Sequence, residues 1–309
     1  MVSEISNKGL HNASRNKKDE FYTQLSDIEK EMGHYKEHFK NKIIFLNCDD
    51  PEESNFWKYF ALNFKFLGLK KLIATHFGNG KPAYKLEKTN GDTIKTPLRQ
   101  NGDFRSPECI KILKESDIVV TNPPFSLFRE YVAQLIEHNK KFVIIGNINA
   151  LSYKDIFKLI RENKIWLGYS IHSGDREFRV PKDYILNASS SRVDENGNKH
   201  IRVKGVRWFT NLDYKERYED LLLYKVYNEK EYPKYDGYNA INVDITKDIP
   251  LDYEGEMGVP ITFIDKFNPD QFEIKGQMAT TKVDEFNYGY PYIEGKKKYA
   301  RIVIQNKKI

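Results

Sequence analysis

Cysteine is nearly missing from these 309 residues, which hold only Cys48 and Cys109. The two stand far apart, show no zinc-site spacing, and cannot build a disulfide framework. The chain therefore reads as cytoplasmic. No apolar run approaches the roughly 20 residues needed to cross a bilayer. Met1 to Lys18 is polar, without the apolar core of a signal peptide. The seven histidines show no His-x-x-x-His or related ligand spacing, so no metal is expected. No internal repeat is visible.

What is present suits a sizeable core: 39% of the residues are hydrophobic and 14% aromatic, enough for one large domain or one and a half. The net charge is +6, a modest basic excess that fits a polyanionic partner without specifying one. Fifty Lys and Arg are interleaved with 20 Tyr and 19 Phe, the materials of nucleic-acid binding. Taken alone, that composition fits an ordinary Lys- and Tyr-rich surface equally well.

Residues 1–18 read as a mobile basic arm. From Asp19 a charged helix runs to about Phe39, and apolar strands then alternate with amphipathic helices. Strands are expected at Lys42–Asn47, Lys71–Thr75, Asp117–Thr121, Phe142–Ile148 and Ile165–Leu167. Helices are expected at Ser54–Phe66 and Leu127–His138, with a capping box at Ser152-Tyr153-Lys154-Asp155. A hairpin is expected across Asn90-Gly91. This alternation predicts a mostly parallel α/β sheet covered on both faces, with ligands at the carboxyl ends of its strands. Beyond residue 168 it gives way to turn-rich sequence, with a hairpin turn at Asp194–Gly197 and a strand at Val206–Thr210. We read 19–222 as the catalytic and cofactor-binding segment and 223–309 as a loop-rich region suited to target recognition.

Asn122-Pro123-Pro124-Phe125 closes the strand that starts at Asp117. Each proline fixes φ and removes a backbone donor, so this rim offers acceptors only. Asn122 adds a side-chain carbonyl and Phe125 an aromatic face. Such a rim suits a planar base whose exocyclic amine is held by acceptors and whose ring is stacked. The amine of adenine is a poor nucleophile because its lone pair is delocalised. Acceptors at Asn122 and the Pro123 carbonyl would hold its hydrogens and place countercharge where it develops. The plainer alternative is a Pro-Pro turn capping a helix, which the strand-to-helix context makes the poorer reading.

Asn-Pro-Pro-Phe resembles the catalytic motif of the DNA adenine-N6 methyltransferases. Phe21-Tyr22-Thr23 resembles their N-terminal cofactor motif, and Gly102-Asp103-Phe104 their adenine-contacting acidic motif. Asp19 to Gln24, Asn47 to Pro51, Ser116 to Phe128, Tyr232 to Asp236 and Met257 to Phe263 resemble the EcoRI-type modification methyltransferases over nearly the whole chain. The resemblance implies a Rossmann-like S-adenosylmethionine-dependent methyltransferase fold. Within it, Phe21, Tyr22 and Thr23, Asp49 or Asp50, and Asp103 with Phe104 would meet the cofactor. Departing from the superfamily, Asp50-Pro51-Glu52-Glu53-Ser54-Asn55 replaces its glycine-rich loop, and no acidic ribose ligand follows Thr75-His76. Asp49 and Asp50 read nearly as well as helix-capping carboxylates, and Asp103 as a turn residue.

The implied partner is double-stranded DNA, with the target base flipped out of the duplex. Arg176, Arg179, Lys204 and Arg207 are candidate contacts. Lys296 to Lys298 reads better as solvated charge, and Trp208 as core. If specificity follows the resemblance, the site is GAATTC, methylated at its second adenine to protect DNA from a cognate restriction endonuclease. No membrane and no obligatory protein partner are expected. The alternatives are a catalytically silent DNA-binding protein, or methylation of RNA adenine or of protein glutamine.

Overall fold

Short runs of β-branched and aromatic residues build the sheet that places the candidate site. The computed structural model describes residues 21–48, 50–78, 82–182, 184–186 and 191–309, so the expected arm at 1–18 and Asp49 lie outside them. The chain divides into two compact units, one of residues 1–148 and 173–213 and the other of 149–172 and 214–309. The change therefore comes at Tyr214 rather than at 223. The stretch 149–172, read from sequence as part of the catalytic segment, belongs to the second unit.

In the first unit, strands β1 (Ile43–Leu46), β2 (Lys71–His76), β3 (Tyr84–Lys88), β4 (Thr93–Pro97), β5 (Ile118–Thr121) and β6 (Lys141–Asn147) share one sheet. Its order, β4-β3-β2-β1-β5-β6, is parallel from β2 to β6 and antiparallel at the β2-β3-β4 edge. The β3–β4 turn is the hairpin expected at Asn90-Gly91. Beyond it in the chain lie β7 (Asp175–Val180), β8 (Ser191–Val193), β9 (Lys199–Lys204) and β10 (Val206–Thr210). β10 extends the large sheet antiparallel to β6, while β7, β9 and β8 form a smaller antiparallel sheet in that order. The β8–β9 turn falls at Asp194–Asn198, as expected.

Helices α1 (Leu25–Met32), α2 (Asn55–Leu62), α3 (Pro107–Glu115) and α4 (Phe128–Glu137) accompany the large sheet. Ser54 caps α2 by accepting from the Phe56 N–H, and Ser106 caps α3 by accepting from Cys109, with Pro107 in the first turn. α2 stops at Leu62 rather than Phe66. There the Asn63 amide bonds back to the Tyr59 carbonyl, and Gly68 takes a left-handed φ of 62°. The four residues of β5 are buried, and its Ile and Val side chains contribute about 1.5–3 kcal/mol each by leaving water. Trp208 is core, packed edge-on against Phe56.

The chain runs from β1 to β2 on one side and returns through α3 to β5 on the other. The connection thus reverses between β1 and β5, and in open α/β sheets ligands sit in the crevice outside such a reversal. Asn47 and Asn122 follow those two strands.

In the second unit, helix α5 (Lys154–Arg161) accompanies a sheet of β11 (Ile241–Asn242), β12 (Met257–Pro260), β13 (Phe272–Met278) and β14 (Arg301–Asn306), ordered β11-β12-β14-β13. From about Tyr224 onward the sequence reads as loop-rich with weak periodicity. These strands are short, and β13 carries an irregularity between Ile274 and Gly276 that breaks its alternation. The expected capping box does not form either. The helix starts one residue later, and the Ser152 hydroxyl donates to the Asn149 carbonyl of the preceding turn.

Candidate active site

Buried Asn122 and Thr23 and a rim of aromatic rings mark the end of β5. Asn122 is only 6% exposed. Its Nδ2 donates to the Phe21 carbonyl at 2.5 Å, which leaves its Oδ1 buried with no hydrogen-bond partner. An orphaned buried acceptor costs about 1–3 kcal/mol unless something fills it. Thr23 repeats the pattern. Its hydroxyl is buried without a partner, while its carbonyl accepts from the Asn55 amide at 2.7 Å. Two unfilled polar atoms at the end of the sheet's reversal are the chemistry of a ligand site.

The segment carrying Phe21 is held from several sides. Tyr22 exchanges both backbone hydrogen bonds with Arg179 on β7, at 2.8 and 3.2 Å. The Arg179 guanidinium lies 4.9 Å from the Tyr22 ring centre and pairs with Glu53 at 2.5 Å. The Phe21 ring packs edge-on to Phe125 at 5.7 Å and touches Phe178 and Tyr184. An aromatic wall thus stands beside the Asn122 amide.

At the end of β1, Asn47 Oδ1 accepts from the Tyr131 hydroxyl of α4. Burial pushes that phenol well above its ordinary pKa, so it stays a donor. Asp50 is engaged on several sides: it accepts from the Tyr84 hydroxyl at 2.7 Å and from the Glu52 N–H, and lies 3.5 Å from His76. Burial, followed by the bond to Asp50, raises the Tyr84 phenol. Asp50 therefore braces the turn before α2, whose cap is Ser54, and does not cap the helix as the alternative reading expected.

Gly102 brings the acidic motif to the end of β2. Its φ is 75°, and a Cβ there would lie 2.1 Å from the His76 carbonyl oxygen, so only glycine fits. Asp103 beside it takes the Arg105 guanidinium through both carboxylate oxygens, at 2.6 and 2.8 Å. Phe104 is buried edge-on to Tyr131 at 5.0 Å, and the Gln134 amide donates to its carbonyl.

The structure thus brings together Asn122, Pro123, Phe125, Phe21, Tyr22 and Thr23, and sets Asp50, Asp103 and Phe104 at the ends of neighbouring strands. It does not gather the four expected DNA contacts. Arg176 is half-buried on β7, Arg179 is committed to Glu53 and Tyr22, and Lys204 is exposed at the end of β9. Arg207 is buried in β10, where its guanidinium donates to the Val206 carbonyl. Sequence reasoning missed the Tyr131–Asn47 bond. Its one signal was a tyrosine on an otherwise apolar helix face, since a buried phenol needs a partner.

Among known sequence families, the one described as adenine-specific methyltransferase EcoRI matches residues 9–307. The chain belongs to that family. Over its full length it is 51% identical to the Type II methyltransferase M.EcoRI of Escherichia coli, covering 99% of that protein. It is 41% identical to the Type II methyltransferase M.MgeORF184P of Mycoplasma genitalium, over 97% of this chain and 99% of the relative. To the Type II methyltransferase M.MpnI of Mycoplasma pneumoniae it is 40% identical, over 96% and 98%. This EcoRI-family member is an adenine-specific DNA methyltransferase of the restriction–modification type. None of its described helices is long and apolar enough to cross a membrane.

Proposed function

We propose that the enzyme methylates N6 of adenine in double-stranded DNA, taking the methyl group from S-adenosylmethionine, at the second adenine of GAATTC. In this reading it protects cytoplasmic DNA from a cognate restriction endonuclease. The observation that carries the chemistry is the Asn122 amide: its donor end is tied to Phe21, and its acceptor end is buried and empty.

An adenine flipped out of the duplex would present its amine to Asn122 Oδ1 and the Pro123 carbonyl. Both are acceptors, so they hold the two amine hydrogens and favour a pyramidal nitrogen. Phe125 would stack on the ring, and its contact with Phe21 keeps that face in place. Because the acceptors are fixed before reaction, little reorganisation is needed as positive charge develops on the nitrogen. Orientation within the closed site supplies much of the remaining rate.

Bound S-adenosylmethionine would supply an electrophilic methyl on its sulfonium. Thr23 fits its carboxylate best, because the hydroxyl is already buried and lacks a partner. Phe21, Tyr22 and Phe104 offer apolar walls. Asp50 would share its carboxylate with Tyr84, and Asp103 would share its own with Arg105. Target recognition falls to the second unit and to the β7–β9 sheet.

The test is transfer of labelled methyl to duplexes that contain or lack GAATTC, with Asn122→Ala alongside. Label in the GAATTC duplex alone, lost in the variant, is the expected result. Label that survives in Asn122→Ala would remove that residue from the mechanism. Transfer confined to other sequences would overturn the recognition site while leaving the reaction standing.

A further inference from the structure

The second unit ends in a hairpin whose construction exceeds what a surface turn needs. Tyr292–Ile293 pairs antiparallel with Lys296–Lys297 across Glu294-Gly295. Both turn residues have positive φ, 49° and 72°, the geometry of a two-residue hairpin turn, and the first of them is not glycine. Such a residue is held in place by its surroundings. Here the holder is Asp236, whose two carboxylate oxygens accept from the Glu294 and Gly295 N–H groups at 2.9 and 2.8 Å. The Asp236 N–H in turn donates to the Tyr292 carbonyl. Ile293 enters a buried cluster with Tyr235, Ala240, Met278 and Val303. On the exit side, buried Arg301 donates to the Tyr299 carbonyl at 3.2 Å while also bonding Asn242 and Asp244. Both legs of the hairpin are therefore fixed at the backbone.

What this frame presents outward is cationic and aromatic. Lys296, Lys297 and Lys298 form no ion pair among the described residues. The Lys297 ammonium lies 3.1 Å from the centre of the Tyr290 ring, which steadies it without neutralising it. The Tyr299 ring is 87% exposed although its backbone is pinned. The Asp236 carboxylate is spent on the turn, and Asp244, which Lys298 helps to hold in its charged form, is already bonded to Arg301 and Asn242. Unpaired lysines beside a bare aromatic ring complement a phosphate backbone with an accessible base face. An anionic lipid surface would share the charge complementarity, but the exposed rings here, Tyr299 and the half-exposed Tyr292, are phenols without an aliphatic patch beside them and give it little apolar area to insert.

We propose that the 292–299 hairpin is a DNA-contacting element, with Lys296–Lys298 on phosphates and the Tyr299 ring stacked on a base face. This assigns a role to lysines that, from sequence alone, read as solvated charge. It rests on DNA being the substrate and needs no particular recognition sequence.

The experiment measures binding of the full-length enzyme to a fluorescently labelled duplex between 50 and 200 mM salt. The triple variant K296Q/K297Q/K298Q is expected to flatten the plot of log affinity against log salt by about one slope unit for every phosphate it no longer neutralises. Tyr299→Ala is expected to weaken binding by about 5- to 150-fold, while Tyr299→Phe stays within about twofold of the parent. Affinity for S-adenosylmethionine and the melting temperature serve as folding controls and should not move. An unchanged salt slope in the triple variant, together with Tyr299→Ala within twofold of the parent, would overturn the proposal. So would loss of binding to phosphatidylserine vesicles with DNA affinity intact.

Discussion

At Asn122 the two ends of one amide do different work, and substitution should separate them. The Nδ2 bond to Phe21 fixes the side chain, and the unfilled Oδ1 is the end that would meet substrate. Asn122→Ala should lower kcat by at least about 10²–10³-fold, the scale of losing one preorganised polar group, with DNA affinity largely retained. Thr23→Val gives the opposite signature. The hydroxyl has no partner to lose, so stability should hold or rise by about 1 kcal/mol, while affinity for S-adenosylmethionine falls about 10- to 100-fold. Calorimetric titration beside a thermal melt reads both. A valine variant that melts lower and binds normally would show that Thr23 is merely structural.

Elements are interlocked at points where one extra methyl is decisive. Gly146, in β6, faces the Phe128 ring that opens α4 and the Phe209 ring of β10. A Cβ there would fall 2.5 Å from the first and 2.9 Å from the second. Gly146→Ala should cost about 1–3 kcal/mol in denaturant unfolding, and it should also lower activity, because Phe128 directly follows the Phe125–Leu127 turn. In the second unit, the Asn242 amide and then the Arg301 guanidinium hold the Asp244 carboxyl below its ordinary value. A folded-state pKa below the unfolded one stabilises the fold above about pH 4, and that contribution is lost as pH falls further. Asp244→Asn should therefore melt lower than the parent at pH 7, with the gap closing in melts taken toward pH 3.

For the molecule as a whole, the +6 charge predicts a DNA KM that climbs steeply with salt while the KM for S-adenosylmethionine stays nearly flat. Steady-state assays at two salt concentrations test this. The first unit was largely legible in the sequence, because its strands are continuous apolar runs that only a covered parallel sheet explains. The place of Asn122 was legible for the same reason, since an Asn-Pro-Pro that closes an apolar run falls at the carboxyl end of a buried strand. The roles of Arg179 and Arg207 were not, since an arginine reads as surface charge until a distant Glu53 or a buried strand claims it. The second unit's sheet stayed hidden because its strands are short and irregular, and their pairing is set across the chain rather than within a local period.

The bridge between Tyr22 and Arg179 also bears on when this enzyme becomes active. A ribosome emits the Phe21 carbonyl early and the strand that anchors it much later, roughly 10–30 s apart at ordinary elongation rates. Until β7 emerges, the segment that carries the Asn122 partner lacks its two backbone bonds to Arg179. A growing chain that already carries the whole Asn-Pro-Pro-Phe motif is thus still missing one support of the segment that motif bonds to.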